Sequence, residues 1–502
     1  MTIYNVNLGI RWASSGVEYA QAYRANVFRQ LNRKARFIFT DMIQADNIAH
    51  LTENMGFLDE EIIWLYTYFT DIKIAPTTVT IADVKKGLPH TETRQERNGK
   101  VVRCFYEQDD FFFTAYLTRE DKDYVDRVEY VSRGKLIRKD YFSYTKIFSE
   151  FYSPKDNRAH LEKRHFFNED GSVAYEEIIR DGEANIYRFP DKILFSKEAL
   201  IAYFMDCLNL TEKDMVILDR STGVGQAVFR HHGQAKLGVV VHAEHYSASS
   251  TTADNILWNN YYDYQFTNAD AVDFFITATD AQKKVLAEQF KAYADKSPRI
   301  ETIPVGSLDN LLYPKGARKP FSLLTASRLA TEKHVDWLLK SVVQAHKVLP
   351  ELTFAIYGKG GEEAHLQKLI HDNQAGAYIF LKGHQDLKTV YRDYEIYVTA
   401  STSEGFGLTL MEAVGSGLPL IGFDVPYGNP TFVKDGTNGY LIPYRNEMNE
   451  TKIVKEFANR IVAYFTSANT EAMHQVSYKL AENYLTTAVE AKWENLLRSF
   501  DQ

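Results

Sequence analysis

Residues 400–422 read ASTSEGFGLTLMEAVGSGLPLIG. The run YEIYVTAS leads into this stretch with the apolar density of a buried strand, Gly405 and Gly407 interrupt it, and LTLMEAV then takes up a helical pattern. A strand, a tight turn and a helix in that order form the repeating unit of a parallel α/β sheet. At such a turn the first free N–H groups of the helix face whatever binds there, and glycine lets the backbone lie directly against it. Glu404 stands on the turn and Glu412 a little over one turn into the helix, so the two carboxylates reach different parts of one elongated molecule. As an isolated pair they would read as a first-turn acid and a solvated helix residue.

They are not isolated. FSLLTASRL, LTFAIYGKG, AYIFLKG and LPLIGFDV complete a series of strands, with helical patterns such as 335–348 between them. In TASRLATEKHVDWLL, residues 325–339, Arg328 ends a strand and Lys333 lies five residues on at the start of the next helix. That spacing lets both cations converge on one diphosphate, the compensation a leaving nucleoside diphosphate needs. Between these motifs lie IYGKGGEEAHL, 356–366, and LKGHQDLKTVY, 381–391, the latter placing His384 and Gln385 just past a strand end where a base can be bracketed by backbone. A lone cation pair means little on a surface, but four motifs in this order point to a nucleotide-linked ligand.

The first 308 residues carry a second series of short apolar stretches, at 3–8, 37–40, 215–218, 237–241, 274–278 and 300–305, most followed by helix-like segments. The fold class is therefore α/β, with two Rossmann-like halves joined near 307–318. Between about 71 and 190 the texture changes. VVRCFYEQDDFFFTAYL, DRVEYVS and KLIRKDYFSYTKI are rich in Tyr, Phe and Val, and turn signals separate the runs at Asn98-Gly99, Arg133-Gly134, Asp170-Gly171 and Asp181-Gly182. This is an antiparallel β-meander inserted into the first half, and aromatic strands exposed beside an α/β core read as a binding platform. The expected domains are 1–74 with 191–308, the insert at 75–190, and a second Rossmann-like domain at 309–485.

The segment NLGIRWASSGVEYAQ, 7–21, leaves the first strand and opens a helix, with Gly16, Val17, Glu18 and Tyr19 at the helix start where such folds accept a phosphate. Arg11 brings bulk and charge to the root of that loop. VVVHAEHYS puts His242 at another strand end, followed by Glu244 and His245; a histidine there is as readily a packing or capping residue. The net charge of −8 offers no basic field to nucleic acid, and the two cysteines, Cys104 and Cys207, suggest neither a disulfide framework nor a zinc site. No charged segment followed by an apolar leader opens the chain, and no window reaches the ~18 apolar residues of a membrane span.

The motif set of the second half resembles the retaining glycosyltransferases of the glycogen-synthase-like, family-four type over nearly its whole length. The resemblance implies a GT-B fold, two Rossmann-like domains with the sugar-nucleotide donor between them and a C-terminal helix at 486–502 crossing back to the first. It implies no metal or other cofactor, because cations such as Arg328 and Lys333 take that place. It assigns the donor sugar and phosphate to Glu404 and the segment Gly405, Phe406, Gly407, Leu408 and Thr409, the ribose to Glu412, the uracil to His384 and Gln385, and a sugar contact to His242. Catalysis falls to Glu404, Arg328, Lys333 and His242, with no covalent nucleophile and with front-face attack.

The loop NLGI-x-WASSGVEYAQAYR, the aromatic insert and the motifs together resemble, more narrowly, the GtfA family, catalytic subunits of the streptococcal and staphylococcal enzymes that place N-acetylglucosamine on serine-rich repeat adhesins. That resemblance implies UDP-N-acetylglucosamine as donor, Ser or Thr hydroxyls as acceptors, a homologous GtfB-like partner subunit, and the insert as the surface that meets partner and polypeptide. It implies a place with the accessory Sec system; the two distant cysteines fit a reducing cytosol, with peripheral attachment to the cell membrane left open. Similar chains carry glycine where this one has Arg11, so lowered activity is expected, not an altered fold. A non-catalytic acceptor-binding subunit, or a transferase acting on lipid or glycan, stays open as an alternative.

Overall fold

The computed structural model describes residues 1–12, 14–88, 91–445 and 447–501. It divides into two compact units, residues 1–25 with 32–239 and 263–273, and residues 26–31 with 240–262 and 274–501.

In the first unit the strand Thr2–Asn7 is central, pairing in parallel with Lys34–Phe39 on one side and Met215–Leu218 on the other. Ile62–Trp64 extends the sheet beyond Lys34–Phe39, and the strand that begins at Lys236 extends it beyond Met215–Leu218. The chain therefore builds outward in one direction before the insert and in the other after it. The ends of Thr2–Asn7 and Met215–Leu218 form the topological switch point, the place where an open parallel sheet leaves a crevice. Beneath it runs a buried polar network. Arg24 makes paired bonds of 2.8 and 2.9 Å to Asp219 and a third of 2.9 Å to Asn5, while Gln21 donates to Asp219 at 2.7 Å and accepts from Asn7 at 3.1 Å.

The insert is a ten-stranded antiparallel meander in which spatial order follows chain order, from Arg94–Asn98 to Ile193–Leu194. Arg133 and Gly134 have φ of 50° and 69°, the left-handed pair of a type I′ hairpin turn. Asp156 and Asn157, at 48° and 58°, make the same turn without a glycine. The meander's first strand is Arg94–Asn98, and upstream of it Thr80 makes a single antiparallel bridge to Tyr124. The short helix Ile81–Lys86 then lays Ile81 and Val84 on the sheet's apolar face, against a core that includes Val102, Cys104, Phe113 and Val128.

The aromatic richness of these strands is largely spent inside the protein. Tyr106, Phe113, Phe148, Phe166, Tyr175 and Tyr187 are all fully buried, which corrects the reading of them as exposed. A column of rings joins the insert to the parallel sheet: Trp64 meets Phe148 edge-on, Tyr66 stacks on Phe166 at 5.5 Å, Phe166 on Tyr175 at 4.5 Å, and Tyr175 on Phe189 at 4.7 Å. Such pairs add about 0.5–1.5 kcal/mol each beyond their area. The Tyr175 hydroxyl donates to the Tyr66 carbonyl at 2.8 Å. Beside this seam a charge ladder crosses three strands: Arg164 bonds Glu150 at 2.9 Å and Glu177 at 2.8 Å, and both acids are almost wholly buried.

The second unit holds a six-stranded parallel sheet in the order Ile379–Gly383, Thr353–Tyr357, Ser322–Ala326, Ile396–Val398, Leu420–Asp424 and Gly439–Pro443. One apolar cluster covers it with the helices Val335–His346 and Glu450–Ser467; a second joins Leu410, Met411, Val414 and Ala481. The last strand, GYLIP, is short and bounded by glycine and proline, and the sequence series stops before it. Gly439 admits it to the sheet, since a Cβ there would lie 1.9 Å from the Leu420 carbonyl oxygen. The helix Thr486–Arg498 sets Trp493 edge-on against Phe28 at 5.1 Å, and Phe500 packs on Phe274. No helix among the described residues is long and apolar enough to cross a membrane.

Candidate active site

Three strand ends of the second unit bring its motifs together. The strand Ser322–Ala326 runs into a loop carrying Arg328, then a single 3-10 turn, Thr331–Lys333, before the helix Val335–His346. The neighbouring Gly358 and Gly360 lie directly on that loop: a Cβ at either would fall within 2.1 Å of a carbonyl oxygen, Ser327 for the first and Leu329 for the second. The glycines of IYGKGG therefore fix the Arg328 loop by backbone contact, including Leu329 N–H to the Lys359 carbonyl at 3.0 Å.

Lys333 reaches from its turn to the third strand end. Its ammonium donates to Glu404 at 2.9 Å and to Ser401 Oγ at 3.2 Å. The carbonyl of Glu404 in turn accepts the N–H groups of Tyr427 and Gly428, both at 2.7 Å, so both ends of this residue are held. Gly407 has φ 87° and stands as N-cap of the helix Leu408–Gly415 with no side-chain cap. The first N–H groups of that helix are thus left for a ligand. The Phe406 ring is buried against Phe432 and Tyr484, so only its backbone can serve a substrate. Thr409 accepts from Tyr397 at 3.0 Å.

Arg328 and Lys333 do not converge in this structure. Arg328 is exposed and pairs with Glu332 at 2.7 Å, whereas Lys333 holds Glu404. Glu412, on the same helix as Thr409, accepts from the Tyr391 hydroxyl at 2.9 Å, and burial pushes its carboxyl above the ordinary range. His384 and Gln385 are exposed just past the strand Ile379–Gly383, with the Gln385 amide donating to the Lys382 carbonyl.

His242 lies on a segment that touches the Glu404 turn, since a Cβ on Gly405 would stand 2.7 Å from the His242 carbonyl oxygen. His245 is no site residue: it is fully buried, its Nε2 faces Gln289 at 2.8 Å and its ring stacks on Tyr427. Burial holds it neutral, with a pKa lowered to about 4.

In the first unit the helix Gly16–Gln30 starts at the switch point. Gly16 and Tyr19 are exposed and Val17 is partly covered, but Glu18 is buried. Its carboxylate accepts from Ser15 N–H at 2.6 Å and from Asn7 at 3.2 Å, with Arg220 at 3.3 Å. Glu18 therefore caps its own helix and shapes the loop through buried bonds. Arg220, which donates to Ser15 Oγ at 2.6 Å, was not among the residues the motifs indicated. Its signal is faint, a DRS tripeptide after an apolar strand. Arg11 is exposed, and its carbonyl accepts from Ser14 Oγ at 2.7 Å.

Two family models match the chain, the GtfA extended beta-sheet domain over residues 94–191 and the glycosyl transferases group 1 over residues 320–465. A UDP-N-acetylglucosamine–peptide N-acetylglucosaminyltransferase GtfA subunit of Streptococcus gordonii is 62% identical over 498 residues, covering 99% of this chain and 98% of that protein. The crystal structure of the pneumococcal O-GlcNAc transferase GtfA in complex with UDP and GlcNAc superposes with a TM-score of 0.95 at 58% identity, covering 100% of this chain and 99% of that one. A GtfA/B complex contains a chain with the same TM-score at 61% identity, with the same coverage. With this likeness over its whole length, the chain has the GT-B fold and belongs to the GtfA family of peptide N-acetylglucosaminyltransferase subunits.

Proposed function

We propose that the chain is the catalytic subunit of a UDP-N-acetylglucosamine–polypeptide transferase that modifies Ser and Thr hydroxyls of a serine-rich repeat polypeptide together with a GtfB-like subunit. One observation carries the reading. A cation and an acid from motifs 71 residues apart meet beside the uncapped start of the helix Leu408–Gly415, in a chain 62% identical to a subunit of that name. An anion at that helix start gains from the free N–H groups and from Lys333 together.

In this reading the diphosphate lies against the helix start and Lys333, and Glu404 holds the sugar. The bond between the anomeric carbon and the UDP oxygen breaks as the acceptor oxygen bonds the same carbon on the same face. The acceptor proton passes to the departing phosphate oxygen, and bonding on the face that UDP leaves retains the configuration. Arg328 joins Lys333 on the diphosphate by leaving Glu332; an exposed pair of that kind is worth only about 0–1 kcal/mol and yields readily. These two cations carry the charge compensation, which makes the reaction independent of a metal. Glu412 takes the ribose hydroxyls, His384 and Gln385 the base, and His242 the sugar. The ten-stranded sheet meets the partner and the polypeptide, a role supported by its match to the extended beta-sheet domain of the family. The site of action is the cytoplasm, with membrane contact only peripheral.

Hydrolysis of UDP-N-acetylglucosamine by the purified chain tests the reading against a merely acceptor-binding subunit, which would leave the donor intact. Arg11 offers a graded test. Its guanidinium is exposed on the loop before Gly16, where charge would tighten ground-state binding without lowering the barrier while bulk would crowd the acceptor. Arg11→Gly is expected to raise kcat/KM for transfer about tenfold, roughly 1.4 kcal/mol, with little change in melting temperature. Equal kcat/KM in the two proteins would show that the loop accommodates the arginine.

A further inference from the structure

The segment His242–Glu244 is fixed more firmly than a loop needs to be. The Tyr262 hydroxyl accepts the N–H groups of both His242 and Ala243, each at 3.0 Å. Gln282 donates to the Ala243 carbonyl at 2.8 Å, and Asn259 to the Glu244 carbonyl at 3.1 Å. On its other side the segment is pressed against the sugar-binding turn, where Gly405 has no room for a Cβ beside the His242 carbonyl and the Ala243 Cα. A backbone held by three side chains and a glycine contact presents its own side chains with little freedom, which is the arrangement of a preorganised binding element.

Of the side chains beyond His242, His245 turns into the core, but Glu244 does not. It is half-buried, and burial raises its pKa against the opposing influence of the neighbouring Ser403, the residue next to Glu404. Among the described residues it makes no ion pair, in contrast to Glu404 with its lysine. A partly desolvated carboxylate retains acceptor capacity that water meets in the free chain and that a bound ligand's donors would take over. Beside a turn that holds a sugar, the hydroxyl groups of that sugar are such donors.

We propose that Glu244 is a donor-sugar-binding residue, accepting a hydrogen bond from a hydroxyl group of the transferred N-acetylglucosamine and so helping to select the sugar. The assignment rests on the transferase reading above. Hydrolysis of UDP-N-acetylglucosamine and transfer to a serine-rich polypeptide are measured for the wild-type chain, Glu244→Gln and Glu244→Ala, with UDP affinity by calorimetry as the check on folding. Loss of a hydrogen bond to a charged group should lower kcat/KM for hydrolysis about 30-fold in Glu244→Ala and less in Glu244→Gln, with UDP affinity within about twofold of wild type. With donors deoxygenated at C3, C4 or C6 in turn, one should make wild type and Glu244→Ala equal, because the interaction is already gone. Equal sensitivity with every donor would overturn the assignment, as would unchanged hydrolysis with only transfer impaired, which would put Glu244 on the acceptor. A wild-type chain that left UDP-N-acetylglucosamine intact would overturn the transferase reading itself, and this assignment with it.

Discussion

Lys333→Ala is expected to lower kcat/KM for transfer by about 10²- to 10³-fold, about 2.7–4 kcal/mol of transition-state stabilisation. The ammonium does two things at once. In the proposed reaction it offsets the charge that the leaving diphosphate gathers, and in the structure it holds Glu404 at 2.9 Å. Removing it takes away compensation when it is most needed and leaves the Glu404 carboxylate without its cation. Glu404→Gln should also cripple transfer while sparing UDP affinity, since its carboxylate is assigned to the sugar and not to the nucleotide. Because the two side chains act as one unit, the double variant should be scarcely worse than the poorer single one. Steady-state kinetics of the three variants, with UDP calorimetry, check this; multiplying effects in the double variant would separate the two residues.

Arg164→Met is expected to destabilise the chain by about 3–5 kcal/mol, because it strands two buried carboxylates that share one guanidinium. Glu150 also accepts from Tyr141 and Tyr152, and Glu177 from Tyr187 and Asn185. Those neutral donors ease the desolvation of the acids but supply no charge. A chain in which Glu150→Gln, Glu177→Gln and Arg164→Met are combined should recover most of the loss, since no ion is then buried. Urea unfolding followed by tyrosine and tryptophan fluorescence measures both. A single variant as stable as wild type would mean that water reaches these acids. The ladder lies beside the seam between insert and parallel sheet, so its loss should also weaken the seating of the insert.

The parallel sheets were legible in the sequence because each buried strand is a continuous apolar run and each following helix has its own period. The antiparallel insert was legible because alternation is punctuated by Asn-Gly, Arg-Gly and Asp-Gly turns. Its extent was less so: 81–86 is a helix laid on the sheet, and the Asp156-Asn157 turn lacks the glycine that usually marks such a bend. The aromatic strands looked like a surface because one strand's sequence does not say what covers it; the rings of Trp64 and Tyr66, far upstream, do. HLEKRHFF likewise reads as a solvated face until cross-strand register puts Arg164 between Glu150 and Glu177.

At the site, Glu404, Glu412, Arg328 and Lys333 stood out by spacing along the chain. What spacing could not give is which charge meets which. Lys333 belongs to Glu404, while Arg328 keeps a local partner. Glu18 looked like a ligand because it sits in the first turn of a helix at a switch point, yet such an acid can equally bond back to the N–H groups before it, and here it does. The need for glycine at 358, 360 and 405 is a matter of backbone approaching backbone, visible only once the strands are side by side.

Every assignment at the site depends on the transfer of a sugar from a nucleotide to a polypeptide by this chain. The most direct test of that transfer is mass spectrometry of a serine-rich repeat polypeptide incubated with UDP-N-acetylglucosamine, the purified chain and a GtfB-like subunit. Successive additions of one N-acetylhexosamine on Ser and Thr are expected, with UDP released in equal amount and with Lys333→Ala slowed about 10²-fold or more. A polypeptide left unmodified while the chain binds UDP and its partner, or modified as fast by Lys333→Ala as by the wild type, would contradict this expectation.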